Sequence, residues 1–188
     1  MLELSILGFL HEGPLHGYEL KERLHGLSGH LRPVSDGALY PALTRLVKTG
    51  LLESRTEPGA GGAARRTLSL TDAGRAELRS RLSEPKEAEI TDGQRFNTVL
   101  AFLGLLDSPA AQAAVLRRRL AFLETPASFF YRDGAPVRAE QEPDLFRAGM
   151  LRVARATGTA EKAWLKEALA VLDGLSADAP SDTPASGP

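Results

Sequence analysis

Residues 35–50 read S-D-G-A-L-Y-P-A-L-T-R-L-V-K-T-G and predict an amphipathic helix. Apolar residues recur at i, i+4, i+7 and i+8, which is the stripe of a helix that packs on a core along one face. Ser35 or Asp36 can cap its start, because a short oxygen side chain accepts from the first free backbone N–H groups. Gly50 can end it in a left-handed conformation. The other face carries hydrogen-bonding side chains: Ser35, Tyr40, Thr44, Arg45 and Lys48.

Pro41 stands inside this stretch. Proline has no backbone N–H and its ring clashes with the preceding turn, which costs roughly 3 kcal/mol in a helix interior. This physics alone predicts that the regular helix begins at Pro41 and that residues 35–40 form a turn.

The segments around this stretch predict the rest of the fold. Apolar periodicity predicts helices at 2–10 and 16–28. Strands at 52–57 and 65–70, joined by a glycine-rich tip, follow, and Thr71 caps a fourth helix. This order is the layout of a winged helix-turn-helix. The helix at 2–10 is apolar on more than one side, so we expect it to be buried on two faces, against a second domain or subunit.

The second half of the chain predicts an all-helical domain. Helical patterns cover 95–106, 109–124 and 144–175, with Gly158 as a candidate interruption, whereas 125–143 is ambiguous. These helices carry more apolar surface than so few can bury, which indicates association, most often into a two-fold dimer.

The predicted fold class is therefore mainly α, with an N-terminal winged helix-turn-helix and a C-terminal all-helical dimerisation domain. The winged domain has a three-helix core and a two-stranded β-wing. The predicted boundaries are 1–82 for the DNA-binding domain, 83–93 for a linker, 94–175 for the dimerisation domain and 176–188 for a disordered tail.

Composition excludes several classes of protein. The chain has 188 residues and no cysteine, which excludes disulfides, thiolate nucleophiles and cysteine metal sites. Its start lacks a signal-peptide pattern, and its apolar run is shorter than the ~20 residues of a membrane span. We expect a cytoplasmic protein with no membrane partner. The net charge of −1 means that any DNA footprint must be a local patch.

Signals for catalysis and for metal binding are weak. The four histidines lack the i, i+4 spacing that places two ligands on one helix face. The chain has neither a nucleophile elbow nor a dinucleotide fingerprint. The sequence therefore predicts no enzyme, no metal site and no cofactor.

Three groups of side chains allow alternative interpretations. Arg65 and Arg66, with Arg55 across the hairpin, can meet phosphates or a minor groove, or form a solvated basic end. Tyr18 and Tyr40 can donate to phosphate or fill the core. Four aromatic residues of the second half can stack on a flat effector or pack in a core or dimer contact: Phe129, Phe130, Tyr131 and Trp164.

Four short motifs resemble those of a known family. They are L-H-G-Y-E-L from residue 15, G-A-L-Y-P-A-L-T-R-L from 37, G-L-L from 50 and L-T-D-A-G from 70. In this order and spacing they resemble the PadR family of transcriptional regulators, closely in the N-terminal domain and more loosely beyond it. The resemblance implies a homodimer, usually a repressor, on a pseudo-palindromic operator. It also implies that the recognition helix runs through Tyr40 and Pro41, and that the N-terminal helix packs against the C-terminal helices.

The resemblance further implies which residues face double-stranded DNA. Gly37 and Ala38 matter because small residues let the backbone approach the groove. The family often has an aromatic pair where this sequence has Thr67 and Leu68. A DNA contact made by a tyrosine of the wing is therefore not expected at these two positions. Asp36 repels phosphate unless it caps the helix. The candidates are His16, Tyr18, Ser35, Gly37, Ala38, Tyr40, Thr44, Arg65 and Arg66.

The sequence thus predicts a homodimeric DNA-binding regulator that a small-molecule effector can release. The dimer is expected to form through the C-terminal helices and the N-terminal helix. Two alternatives stay open: a winged helix that binds proteins, and a ligand sensor without direct DNA readout.

Overall fold

A computed structural model describes residues 1–28, 34–58, 64–126 and 129–177. The chain divides into two compact units, Met1–Asp107 and Ser108–Pro188. The first unit contains α1 (Leu2–His11), β1 (Leu15–His16), α2 (Gly17–Ser28), α3 (Asp36–Lys48), β2 (Leu52–Pro58), β3 (Ala64–Leu70), α4 (Asp72–Ser83), α5 (Glu87–Thr91), α6 (Gly93–Phe102) and a 3-10 turn (Leu103–Leu105).

The wing is a three-stranded antiparallel sheet with the order β1-β3-β2. β2 and β3 form the predicted hairpin, in which Leu52 pairs with Leu70. β1 adds a third strand on the other side of β3, where Leu15 pairs with Leu68 and His16 with Thr67. The sequence predicted a two-stranded wing with His16 at the start of a helix. This prediction was wrong, because His16 lies in a short third strand.

α3 runs from Asp36 to Lys48 and contains Pro41. The expectation that the helix begins at Pro41 was wrong, and the expectation drawn from the family resemblance is confirmed. The missing N–H removes only the bond to the carbonyl of Gly37, which lies in an exposed first turn where water can satisfy it. Burial of Leu39, Leu43 and Leu46 on the opposite face favours the helix despite that loss.

α1 is buried on more than one face, as predicted, and elements of its own unit pack against it. It packs against α2, α3, α4 and α6. A Cβ atom on Gly8 would lie 2.4 Å from the ring of Phe102 in α6, so this close approach requires glycine. Phe9 meets the same ring edge-on at 5.1 Å. The buried side chains of α1 include Leu4, Ile6, Leu7 and Leu10.

The L-T-D-A-G motif joins the wing to α4. Thr71 is the N-cap, and its Oγ1 accepts from the backbone N–H of Gly74 at 3.0 Å, as predicted. A Cβ on Gly74 would lie 2.1 Å from the carbonyl oxygen of Leu51. Glycine is therefore needed where α4 meets the start of the hairpin.

The predicted linker at 83–93 contains structure. α5 lies within it, with Pro85 and Ile90 buried, and α6 belongs to the first unit. The cause is local, because Pro85 precedes the start of a helix instead of breaking one. The assignment of these stretches to DNA binding and dimerisation stays a prediction.

The second unit contains α7 (Pro109–Glu124), β4 (Tyr131–Arg132), β5 (Ala135–Pro136), a 3-10 turn (Ala139–Gln141) and α8 (Leu145–Ala177). Asp133 and Gly134 both have positive φ and form the tight turn between β4 and β5. α8 continues through Gly158, which does not interrupt it. The predicted disordered tail beyond residue 177 lies outside the described residues, as does the glycine-rich hairpin tip at 59–63.

Candidate nucleic-acid interface

α3 and its N-cap expose every residue that the sequence assigns to them for DNA contact. Ser35, the N-cap, makes no capping bond with its side chain. Thr44 donates from its hydroxyl to the carbonyl oxygen of Tyr40 at 2.9 Å, so its methyl group and the tyrosine ring share one exposed face. The exposed candidates on this helix are Ser35, Gly37, Ala38, Tyr40 and Thr44.

A cleft of about 520 Å³ joins α3 to β1, the start of α2 and β3. Four predicted DNA-facing side chains line it: His16, Tyr18, Tyr40 and Arg66. Tyr18 is 73% exposed and Tyr40 is 53% exposed, so neither fills the core. The fold therefore brings residues from two separate motifs and from β3 to one surface.

His16 is fixed at the rim of this cleft. Its backbone N–H donates to Oε2 of Glu19 at 2.9 Å, and its Nδ1 lies 3.3 Å from Oγ1 of Thr67. Thr67 occupies one of the two positions where the family often has aromatic residues. In this chain it positions the imidazole.

The carboxylate of Asp36 is paired with a cation. Nζ of Lys21 lies 2.7 Å from Oδ1 of Asp36, at the first turn of α3. The hydrogen bond from Lys21 to Asp36 raises the pKa of the lysine above its ordinary value, and the charge of Asp36 adds to this effect. Asp36 therefore does not act as the N-cap, and Lys21 compensates the negative charge that would repel phosphate.

The wing presents arginines on its strands. Nε of Arg66 donates to Oγ of Ser54 across the hairpin. Arg55 is exposed and pairs loosely with Glu53 at 3.5 Å. Arg65 lies in β3 opposite Glu57, and its side chain is outside the described part of the structure.

An ion network behind α3 was not predicted from the sequence. Glu3 of α1 accepts from Nε of Arg45 at 2.8 Å and pairs with Arg81 of α4 at 3.3 Å. Burial is the largest single influence on Glu3 and raises its pKa, but the hydrogen bonds and charges of the two arginines outweigh it. The pKa of Glu3 is therefore lowered. This network attaches α3 to two other helices.

Comparison with known proteins identifies the family. Residues 6–80 match the family described as transcriptional regulator PadR-like. Transcriptional regulator Rv3488 of Mycobacterium tuberculosis is 39% identical over 95 residues, which cover 50% of this chain and 85% of that protein. The chain belongs to the PadR-like family of transcriptional regulators. It is therefore a regulator and not an enzyme.

Solved structures are also similar to this PadR-like regulator. Bacillus subtilis PadR, solved in complex with operator DNA, is 23% identical with a TM-score of 0.44, over 90% of this chain and 97% of that one. A PadR-like transcription factor from Bacteroides fragilis is 32% identical with a TM-score of 0.39, over 43% of this chain and 75% of that one.

The aromatic residues predicted for an effector lie in the second unit of this PadR-like regulator, and their role stays a prediction. Phe129 is exposed and lines a cleft of the second unit. The guanidinium of Arg147 lies 5.4 Å from the ring centre of Phe130. Tyr131 and Trp164 are exposed and line neither this cleft nor the one on the first unit.

The described residues contain neither a membrane-spanning helix nor a cluster of metal ligands. None of the helices in this part of the PadR-like regulator combines the length and apolar composition of a membrane span. The same residues contain no group of three or more side chains that could hold a metal ion.

Proposed function

We propose that the chain binds double-stranded DNA sequence-specifically, as a homodimer on a pseudo-palindromic operator, and represses transcription there in the cytoplasm. The single observation that carries the DNA contact is the convergence of His16, Tyr18, Tyr40 and Arg66 on one exposed cleft beside α3. These residues come from β1, α2, α3 and β3, so the fold brings donors from separate elements to one surface.

The chemistry of this surface suits DNA. Tyrosine hydroxyls and arginine guanidinium groups are ordinary donors to phosphate oxygens, and such contacts fix the position of a protein on the duplex. The first half of α3 is narrow, because Gly37 and Ala38 have little or no side chain. Those two positions let the helix backbone approach base edges in the major groove.

The charge of the surface predicts a modest electrostatic contribution. Asp36 is compensated by Lys21, and the carboxylate of Glu19 already accepts from a backbone N–H. Arg66 is then the principal cation of the cleft. We expect affinity to depend on few phosphate contacts and on close fit, in keeping with the near-neutral chain.

An exposed apolar stripe on α8 supports the homodimer. Together with the polar residues Thr157 and Glu167, its members follow alternating steps of four and three residues, the spacing of a coiled-coil seam. Phe146 is 82% exposed and Val153 is 67% exposed, which is costly for a helix that stays in water. The apolar members are Phe146, Met150, Val153, Ala160, Trp164 and Val171.

α1 supports the dimer less than the sequence predicted. Its main apolar side chains are already buried inside the first unit. We therefore assign the dimer contact chiefly to α8. Two recognition helices related by the dimer axis would then enter successive major grooves about 34–36 Å apart.

The test is fluorescence anisotropy of the full chain with the DNA upstream of its own gene and with scrambled DNA, across a salt series. We expect specific binding whose log affinity falls linearly with log salt. An effector would weaken this binding only if it prefers the form of the dimer that does not bind DNA. Weak and equal binding to both DNAs, together with capture of a protein by the same surface, would favour the protein-binding alternative.

A further inference from the structure

The second unit contains a cleft that shares no residue with the proposed DNA interface. It has a volume of about 580 Å³ and is lined by the end of α7, by residues 136–140 with Phe129, and by α8 between Leu151 and Lys162. Pockets of about 300–1,000 Å³ are the size that holds drug-sized ligands.

The cleft exists because α7 and α8 differ in length. α8 has 33 residues and α7 has 16, so they are about 50 Å and 24 Å long. Glu124, the last residue of α7, pairs with Lys166, so the first half of α8 extends past the end of α7. A short β-hairpin and a 3-10 turn stand beside that half instead of a helix, and they leave the cleft open.

The rim of the cleft is strongly cationic. Arg138, Arg152, Arg155 and Lys162 line it, against the single carboxylate of Glu140. Among the residues that the structure describes, none of these four cations forms an ion pair. Like charges held close together repel, and a bound anion would relieve that repulsion.

Several other cations of the same two helices are compensated. Arg117 pairs with Asp173 at 2.5 Å, and Arg119 pairs with Glu161 at 2.7 Å. Among the described residues, the four cations of the cleft therefore differ from these paired cations of the same unit.

The wall of the cleft is apolar. It includes the side chains of Leu123, Val137, Leu151 and Ala154, and Val137 is buried. Gly158 leaves open space, since nothing lies within 4 Å of a Cβ atom placed on it. A cleft that combines apolar side chains with several cations matches a ligand with an apolar body and an anionic head.

We propose that this cleft binds an amphipathic organic anion, with the apolar body against the wall between α8 and residues 136–140 and the anionic head at Arg152 and Arg155. The apolar lining is aliphatic apart from the ring of Phe129, which favours a medium-chain carboxylate. This inference goes beyond the proposed function, because binding here requires neither DNA nor the residues of the first cleft.

The test is isothermal titration calorimetry of the full chain with decanoate below its micelle concentration. Inorganic phosphate and 1-decanol test the head and the body separately. We expect saturable decanoate binding, and binding at least about tenfold weaker for each of the other two. Equal affinity for phosphate and decanoate would overturn the proposal, because the apolar wall would then contribute nothing.

Two variants place the binding in this cleft. Gly158→Leu fills the open space without a backbone clash and replaces a poor helix former with a good one, so the variant should fold. We expect it to abolish decanoate binding, whereas Gly174→Leu, a matched change on the same helix outside the cleft, leaves binding intact.

A second pair of variants tests the contribution of the cations that line the cleft. Arg152→Gln with Arg155→Gln should weaken decanoate binding about tenfold or more, through loss of charge-assisted hydrogen bonds. Arg117→Gln with Lys166→Gln removes the same charge from outside the cleft and should leave affinity unchanged. Decanoate binding that survives both Gly158→Leu and the double arginine variant would show that the ligand binds elsewhere.

Discussion

α3 and α8 each bury one face within their own unit but expose opposite chemistry. α3 presents hydroxyl groups and small residues, with Tyr40 and Thr44 on its open face. α8 presents large apolar side chains such as Phe146 and Val153. Water tolerates the first surface, whereas the second is stabilised by covering it. In the proposed function, this difference assigns nucleic-acid contact to α3 and self-association to α8.

The largest expected effect tests whether the exposed apolar stripe on α8 forms the dimer contact. Replacing Val153 and Trp164 with Glu should raise the dimer dissociation constant about 10³-fold or more. Each side chain would be buried twice by the two-fold axis, and burial contributes about 1.5–3 kcal/mol per large apolar side chain. Sedimentation velocity over a range of concentrations measures this change.

Ala170→Glu provides the control for that variant. Ala170 is an exposed residue of α8 outside the apolar stripe, so the same kind of charge there should leave the association unchanged. If the double variant and the unmodified chain have the same mass at every concentration, the stripe on α8 is not a dimer contact.

The second prediction tests whether the cleft beside α3 contacts DNA. Arg66→Glu should weaken binding to operator DNA about 30-fold and reduce the salt slope by about 1 or more, since it removes and reverses a phosphate contact. Fluorescence anisotropy at several salt concentrations gives both quantities. Arg95→Glu, at an exposed position of α6 outside the cleft, makes the same charge change. Equal losses in the two variants would mean that only net charge matters.

Much of the first unit was predictable because its signals are local. The stripe of α3 and the capping of α4 by Thr71 each depend on residues within two turns of one helix.

In the second unit, Asp133 and Gly134 carried a clear hairpin signal, since this pair suits the positive φ of a tight turn. The ambiguity assigned to 125–143 came from its prolines and concealed that signal.

The features that sequence reasoning missed are non-local. β1 is two residues long, too short for any periodicity, and it exists only because Leu15 pairs with Leu68 of β3. Glu3 lies 42 positions from Arg45 and 78 from Arg81, so no spacing rule connects them. The cleft beside α3 could not be predicted either, because it forms only where the fold places His16 and Arg66 on one surface.

The third prediction concerns the network that attaches α3 to α1 and α4. Glu3→Gln should lower the free energy of unfolding at neutral pH by about 1 kcal/mol, because charged hydrogen bonds to two arginines weaken and the site is partly exposed. The lowered pKa of Glu3 fixes the pH dependence. Its contribution is present above the ordinary glutamate pKa, about 4.3, and is lost as pH falls through the folded-state value.

Urea unfolding at neutral and acidic pH measures this effect. The difference between Glu3→Gln and the unmodified chain should shrink as the solution is acidified. Glu22→Gln, at an exposed position of α2, should change stability little at any pH. A difference that stays constant down to strongly acidic pH would mean that the ionised carboxylate of Glu3 is not what stabilises the first unit.

The smallest effect tests the one carboxylate at the start of α3. Asp36→Asn removes the negative charge and frees Lys21, whose pKa should then return toward its ordinary value. We expect operator binding to become about threefold tighter and the salt slope steeper by up to about 1, because Lys21 becomes available to a phosphate. Glu12→Gln, which frees Arg23 outside the cleft in the same way, should not tighten it. If Asp36→Asn weakens binding instead, the Lys21–Asp36 pair acts by orienting the first turn of α3, and the polar face of this helix depends on that pair for its geometry.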